Sequence, residues 1–204
     1  IGVVTLNLPR YAFEAASPEE FFEIIGAHMD IARDSLSIKR KVLEQFTDRG
    51  LYPYSMFYLR SVKEATGAYW RNHFSTIGII GMNDALLNLI GKDISTDEGV
   101  ALAVRTLDTM RERLLAYQED SDEIYNLEAT PAEGTSYRLA RIDSRRNPGI
   151  RIYNQTLNGR ARDVPYYTNS TRLPVGHTDD IVEALRLQDP LQTRYTGGTV
   201  LHGF

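Results

Sequence analysis

The residues most suited to chemistry are 125–136, with the sequence Tyr-Asn-Leu-Glu-Ala-Thr-Pro-Ala-Glu-Gly-Thr-Ser. A turn there ends in Gly134, Thr135 and Ser136, directly before an apolar pattern of helical spacing. The first amides of a helix have no partner within the helix, and the helix dipole is positive at that end. Because two hydroxyl donors stand beside those amides, the pattern predicts a cradle for a phosphate group.

The same residues also have a simpler explanation. A Thr or Ser in front of a helix most often acts only as an N-cap, whose side-chain oxygen accepts a hydrogen bond from the helix backbone. Before the turn, apolar Ile124, Leu127 and Ala129 are followed by Pro131, which favours a strand. Both interpretations therefore predict a strand, a turn and a helix, and the spacing alone does not choose between them.

Length and composition predict one globular α/β domain. The chain has 204 residues, of which 42% are hydrophobic and 25% charged, and its formal net charge is −4. An acidic chain of this kind predicts no nucleic-acid partner. The sequence contains neither an apolar run of membrane-spanning length nor a signal peptide, so we predict a cytoplasmic protein with no membrane partner.

Cysteine and histidine usage argues against a metal site. The chain has no cysteine, and its four histidines (His28, His73, His177 and His202) are scattered, so we predict no metal ligand within it. Both ends read as strands, which leads us to expect a piece of a longer protein, a single fragment spanning residues 1–204.

The remaining pattern alternates strands with helices, which predicts mostly parallel strands. We predict strands at 3–8, 73–80, 124–130 and 197–204, helices at 18–47, 85–90, 97–117, 134–142 and 179–188, and a short helical piece at 191–195. Residues 54–60 fit helix or strand, and we expect their Tyr and Phe cluster in the core. Residues 144–162 predict a long exposed loop or hairpin, and residues 166–175 an extended segment. The spacing Gly78-x-x-Gly81 lacks the rest of a dinucleotide fingerprint.

Five ordered motifs resemble one enzyme family, the anaerobic (class III, glycyl-radical) ribonucleoside-triphosphate reductases. They are Gly-Val-Val-Thr-Leu-Asn-Leu-Pro-Arg at 2–10, Arg-Asn-His-Phe-Ser-Thr-Ile-Gly at 71–78, Tyr-Asn-Leu-Glu-Ala-Thr-Pro-Ala-Glu-Gly-Thr-Ser-Tyr-Arg at 125–138, Tyr-Tyr-Thr-Asn-Ser at 166–170, and Leu-Gln-Thr-Arg-Tyr-Thr-Gly-Gly-Thr at 191–199. The resemblance spans nearly the whole chain. It implies the second half of a ten-stranded α/β barrel.

The resemblance also implies a ligand for the turn. The family's corresponding turn holds the phosphates of a ribonucleoside triphosphate, so Ala132, Gly134, Thr135 and Ser136 are expected to contact them through amides and hydroxyls. Glu133 is a carboxylate beside a triphosphate, which is repulsive. We expect it either to bond the ribose or to cap its own helix.

The radical chemistry of that family requires residues that this chain lacks. The resemblance implies a thiyl-radical cysteine upstream of Ile1, and a glycyl radical and zinc-binding cysteines downstream of Phe204, so no catalytic residue is expected here. It further implies a structural zinc, an activating enzyme that uses S-adenosylmethionine and an iron–sulfur cluster, a formate or thioredoxin-type reductant, and a homodimer. The fragment alone is expected to be inactive.

Five further residues are candidates for lining the cleft, namely Ile1, Asn7, His73, Asn126 and Asn169. If Ile1 occupies a position that faces the ribose, it could neither donate a proton nor form a disulfide, which would favour a thioredoxin-type reductant. The alternative is an ordinary core isoleucine. Each of the others could equally satisfy neighbouring backbone.

Two other functions fit the same fold. One is a non-catalytic interaction or scaffold module that kept the reductase fold. The other is a different glycyl-radical enzyme, such as a relative of formate lyase, which would share the barrel without the phosphate-binding turn.

Overall fold

The computed structural model describes residues 1–157, 160–161 and 164–200. Three strands, β1 (Gly2–Asn7), β2 (Ser75–Ile80) and β3 (Tyr125–Glu128), form a parallel sheet in that order. Gly2 lies opposite Ser75, and Ser75 lies opposite Tyr125. The predicted α/β class with parallel strands is confirmed, and the carboxyl ends of the strands meet at one edge.

Another segment lies alongside β3. The Leu127 amide donates to Thr196 Oγ1 at 2.9 Å, and the Ala129 amide donates to the Gly198 carbonyl at 3.0 Å. Of the strand predicted at 197–204, residues 197–200 lie beside β3 but form no strand in the structure, and residues 201–204 lie outside the described part of the chain.

Eight α-helices, one 3₁₀ turn and two short strands complete the described fold. They are α1 (Leu8–Glu14), α2 (Pro18–Asp48), α3 (Pro53–Tyr58), α4 (Arg60–Thr66), α5 (Met82–Leu89), α6 (Asp97–Glu119), α7 (Glu133–Arg146), a 3₁₀ turn (Tyr153–Gln155), β4 (Thr156–Leu157), β5 (Arg160–Ala161) and α8 (Ile181–Gln192). None of the helices within these residues is long and apolar enough to cross a membrane.

Local capping chemistry sets the main helix starts. Ser17 Oγ accepts from the Glu20 amide at 3.2 Å, and Pro18 follows as the first helical residue of α2. In the same way, Thr96 Oγ1 accepts from the Gly99 amide at 3.1 Å at the start of α6. These caps confirm the predicted starts of α2 and α6.

The two faces of the sheet differ in chemistry. On one face, Leu6, Ile77 and Leu127 are fully buried in the main core against α2 and α6. Because side chains alternate along a strand, Thr76, Gly78, Asn126 and Glu128 point to the opposite face. The helix side is therefore apolar, and the other side presents small and polar groups together with Ile80, which is buried in a second apolar cluster with Ala140 and Tyr167.

Two predictions near prolines need correction. The strand predicted to run to Leu8 ends at Asn7, and Pro9 is the second residue of α1, because a proline in the first turn lacks only an amide that the helix does not use. Residues 54–58 and Arg60 are helical, with Pro53 as the first residue of α3 and Leu59 in the turn between α3 and α4. Their aromatic cluster is not in the core, since Tyr54 is 79% exposed and Tyr58 is 75% exposed.

Two further boundaries also differ. The helix at 179–188 and the helical piece at 191–195 are one helix, α8, which continues through Pro190 to bring Leu191 into the core. The loop predicted at 144–162 begins as the last turn of α7 and later pairs β4 with β5 in an antiparallel manner. Residues 158, 159, 162 and 163 of that loop lie outside the described ranges.

Candidate functional site

The turn between β3 and α7 begins α7 in an unusual way. Ala132 occupies the N-cap position with φ 41° and ψ 41°, in the left-handed region that non-glycine residues seldom adopt. No side chain caps this helix. The interpretation of Thr135 and Ser136 as plain N-cap residues is therefore wrong.

Three consecutive amides are left free by this geometry. The first internal bond of α7 runs from the Ser136 amide to the Ala132 carbonyl at 2.8 Å. Within the described ranges, the amides of Glu133, Gly134 and Thr135 have no acceptor. Together with the helix dipole, they form a group of donors suited to an anion.

Gly134 keeps the space in front of these amides open. A Cβ atom placed on Gly134 would meet nothing within 4 Å. Thr135 is half-buried, and its hydroxyl has no partner in the described part of the chain. A ligand can therefore approach the backbone here and also reach one hydroxyl.

Ser136 points the other way. It is 2% exposed, and its hydroxyl donates to the Tyr167 carbonyl, while its amide belongs to the helix ladder. Both of its donors are thus used inside the protein. The structure brings Ala132, Glu133, Gly134 and Thr135 together at the surface and uses Ser136 to fasten the helix.

The segment that receives the Ser136 bond lies over the carboxyl end of β2. The Gly81 amide donates to the Thr168 carbonyl at 2.8 Å, and the Met82 amide donates to the Ser170 carbonyl at 2.9 Å. Fully buried Asp84 accepts bonds from the Thr168 amide at 2.8 Å, the Thr168 hydroxyl at 2.6 Å and the Tyr153 amide at 2.8 Å. The Asp84 carboxylate therefore anchors the two loops that support α7, one at Tyr153 and the other at Thr168.

Burial raises the pKa of Asp84 to about 6, although the bonds from Thr168 and Tyr153 oppose that shift. We expect Asp84→Asn to lower the free energy of unfolding by about 2 kcal/mol at pH 7, because an amide NH₂ would face groups that are themselves donors. The folded-state pKa exceeds the unfolded value of about 4, so the wild type gains stability as pH falls toward 5. The gap between wild type and variant should grow by about 1 kcal/mol from pH 7 to pH 5.

Urea denaturation at pH 5 and pH 7 measures this gap. Asp120→Asn, at an exposed position at the end of α6, is the matched control and should leave the stability nearly unchanged at both pH values. A gap that shrinks toward pH 5 would contradict the prediction.

A second buried carboxylate ties α7 to the end of β1. Asp143 is 3% exposed and accepts from Asn7 Nδ2 at 2.7 Å and from the Tyr167 hydroxyl at 3.0 Å. Burial and the Asp143 carboxylate together raise the pKa of Tyr167. Arg10 lies 3.6 Å from the other carboxylate oxygen. The position of α7, and of the free amides at its start, is fixed by this cluster.

The five cleft-lining candidates do not lie together. Asn7 ends β1 and Asn169 lies in the segment over β2, at the edge of the sheet where α7 begins. Ile1 and His73 lie at the opposite edge, about 20 Å away along the strands, where the Ile1 amino group donates to the Phe74 carbonyl at 2.6 Å. Asn126 is inside β3 on the polar face, with a buried Oδ1 that has no partner among the described residues. Their role as a cleft lining stays a prediction.

The sequence pattern did not single out Asp84, Asp143 or Tyr167. The sequence did contain one signal for the two buried carboxylates. Asp84 and Asp143 are polar residues at positions where the helical pattern faces the core. The residues described here contain no group of three His, Asp or Glu side chains that could hold a metal ion.

The chain matches the model of one protein family over its full length. The family is described as anaerobic ribonucleoside-triphosphate reductase, and residues 1–204 match it. The anaerobic ribonucleoside-triphosphate reductase of Haemophilus influenzae is 28% identical, covering 100% of this chain and 29% of the relative. The enzyme of the same name from phage T4 is 25% identical, covering 98% and 32%. The chain thus spans about three tenths of the length of these relatives.

Solved structures agree on the fold. The anaerobic ribonucleotide reductase of Thermotoga maritima with dATP bound in its specificity site superposes with a TM-score of 0.74 at 22% identity, covering 98% of this chain and 32% of that one. The same enzyme with citrate in the active site gives a TM-score of 0.74 at 23% identity, covering 98% and 34%. From the full-length match to the family model, the chain belongs to the anaerobic ribonucleoside-triphosphate reductase family.

Proposed function

We propose that this chain is part of the catalytic barrel of an anaerobic ribonucleotide reductase and supplies the turn that binds the phosphates of its ribonucleoside triphosphate substrate. The observation that carries the proposal is the row of three unpaired amides at Glu133, Gly134 and Thr135. They lie where parallel strands end, which is the usual ligand position in α/β folds. The second half of a ten-stranded barrel is the architecture we propose for the intact protein.

Phosphate oxygens would accept bonds from the three amides and from the Thr135 hydroxyl. Glu133 is exposed, and it makes no capping bond within the part of the chain that the structure describes. In this proposal a ribose hydroxyl donates a hydrogen bond to the Glu133 carboxylate. Ser136 contributes indirectly, since its bond to Tyr167 holds the first turn of α7 in place.

The chemistry itself requires groups from outside this chain. With no cysteine among its 204 residues, the chain cannot supply a thiyl radical. We propose that the thiyl cysteine, the glycyl radical and the structural zinc belong to other parts of the intact, cytoplasmic homodimeric protein. An activating enzyme would generate the radical, and either formate or a thioredoxin-type dithiol would supply electrons.

Removal of the Thr135 hydroxyl tests the phosphate assignment. In the full-length protein, we expect Thr135→Ala to bind a ribonucleoside triphosphate about tenfold more weakly, the loss of one hydrogen bond to a charged group. Binding of the corresponding nucleoside, which has no phosphate, should be unchanged. Isothermal titration with both ligands measures the two affinities.

Thr193→Ala is the matched control. That threonine also lies near a helix end, but its hydroxyl donates to the Asp189 carbonyl of the same helix. It should change neither affinity. Unchanged triphosphate binding by Thr135→Ala, or equal weakening for the nucleoside, would rule out the phosphate contact. No triphosphate binding by the intact protein would favour the scaffold module.

A further inference from the structure

The outward face of α7 forms a basic groove of about 380 Å³. It is lined by Tyr137, Arg138, Arg141, Ile142, Arg145 and Arg146. At 3.6 residues per turn, these residues occupy one half of the helix surface. Ser136, Ala140 and Asp143, which are buried, occupy the other half. The groove is therefore separate from the contacts that hold α7 in the fold.

The four arginines of this groove lack acidic partners. Elsewhere, Arg113 lies 2.6 Å from Asp30 and Arg194 lies 3.0 Å from Asp108. No carboxylate lies within 4.0 Å of a groove guanidinium in the described ranges. The acidic residues of α7 do not pair with these arginines, because Glu133 is in the first turn of the helix and Asp143 faces inward. A chain of net charge −4 thus carries a local excess of four positive charges.

This arrangement is unfavourable for an isolated helix. Arg138 and Arg141 are three residues apart and Arg141 and Arg145 are four apart, so each pair of like charges is destabilising. The helix dipole favours only Arg145 and Arg146, which lie in the last turn. An anionic partner on this face would remove the repulsion.

We propose that the arginine groove of α7 is a docking surface for an acidic segment of a partner protein. Guanidinium groups pair with carboxylates through two parallel bonds. Arg138 to Arg146 span about 12 Å along the helix. Carboxylates at alternate positions of an extended segment recur about every 6.6 Å, so three of them match that span. Tyr137 and Ile142 add the apolar contact that is common at protein interfaces.

Nucleic acid is a poorer fit to the same groove. Nucleic-acid affinity grows with the number of phosphates that cations neutralise, and this face offers four cations on a chain of net charge −4. Gly134 and Thr135 of the proposed nucleotide site lie one turn before Arg138 on the same side of α7, so peptide binding is measured without nucleotide.

The test titrates a fluorescein-labelled peptide of alternating Glu and Ser residues with the full-length protein. Fluorescence anisotropy at low salt gives the Kd. We expect Arg138→Glu combined with Arg145→Glu to raise the Kd at least about tenfold. Arg49→Glu combined with Arg186→Glu changes the net charge equally at exposed positions without ion pairs in the described structure, and should stay within about twofold of the wild type.

Three results would overturn the proposal. They are no binding of the peptide to the full-length protein, equal weakening in both double variants, and tighter binding of a single-stranded oligonucleotide than of the peptide. If the charge-reversal pair melts below the wild type, Arg138→Gln with Arg145→Gln replaces it. The Kd of that variant is then compared with those of the wild type and of the Arg49 and Arg186 control.

Discussion

The full-length protein with Gly134→Leu is expected to bind a ribonucleoside triphosphate at least about 100-fold more weakly while melting no lower than the wild type. A Cβ atom on Gly134 would meet nothing within 4 Å and the position is exposed, so we expect the fold to accept the larger side chain, and replacing glycine within a helix is favourable. The leucine would fill the space in front of the free amides. Losing two bonds from those amides to a charged phosphate accounts for the size of the effect.

Isothermal titration and thermal melting together measure this outcome. Ala101→Leu is the matched control, since it places the same side chain at an exposed position of α6. It should leave nucleotide binding unchanged. If Gly134→Leu binds the triphosphate as tightly as the wild type, the phosphate does not lie over these amides.

Gly81→Ala should lower the free energy of unfolding by about 4 kcal/mol. Gly81 has φ 73°, where a Cβ atom costs about 1–2 kcal/mol. That atom would also lie 2.3 Å from Cγ of the rigid Pro9 ring, and overpacking costs about 1–3 kcal/mol more. The Gly81 amide bonds the Thr168 carbonyl, so the same change disturbs the segment that holds α7.

Gly67→Ala separates the two contributions. Gly67 has φ 82° but no atom within 4 Å of an added Cβ, so this variant measures backbone strain alone. Urea denaturation measures the loss in free energy of unfolding for each variant. The loss for Gly81→Ala minus the loss for Gly67→Ala is the cost of the overlap with Pro9. If the two variants lose the same stability, β2 and α1 can move apart at little cost, and the close packing at Gly81 is unimportant.

Local chemistry made most of the fold predictable. Ser17 with Pro18, and Thr96, start their helices through side chains that lie next to the backbone they cap. The parallel sheet followed from strands alternating with helices. The exposure of Tyr54 and Tyr58 did not follow, because aromatic content does not reveal what else is available to cover a face. The continuation of α8 through Pro190 depends on tertiary burial of Leu191.

The candidate site was predictable in position and not in detail. A turn after an apolar run located the start of α7 to within a few residues. The left-handed conformation of Ala132 has no signal in the sequence, because alanine seldom adopts it. Whether the Ser136 hydroxyl points outward depends on Tyr167, which is 31 residues away. Local pattern cannot assign contacts over that separation.

The register of the sheet bears on how the protein folds during synthesis. Gly2 pairs with Ser75, so β1 and β2 cannot pair until more than seventy further residues have been made. At roughly 5–20 residues per second, that interval lasts several seconds. Of the two described elements that pack most against β1, α2 is made before β2. Parallel pairing over such a separation in sequence is slow, so we expect the pairing of β1 with β2 to form late in folding.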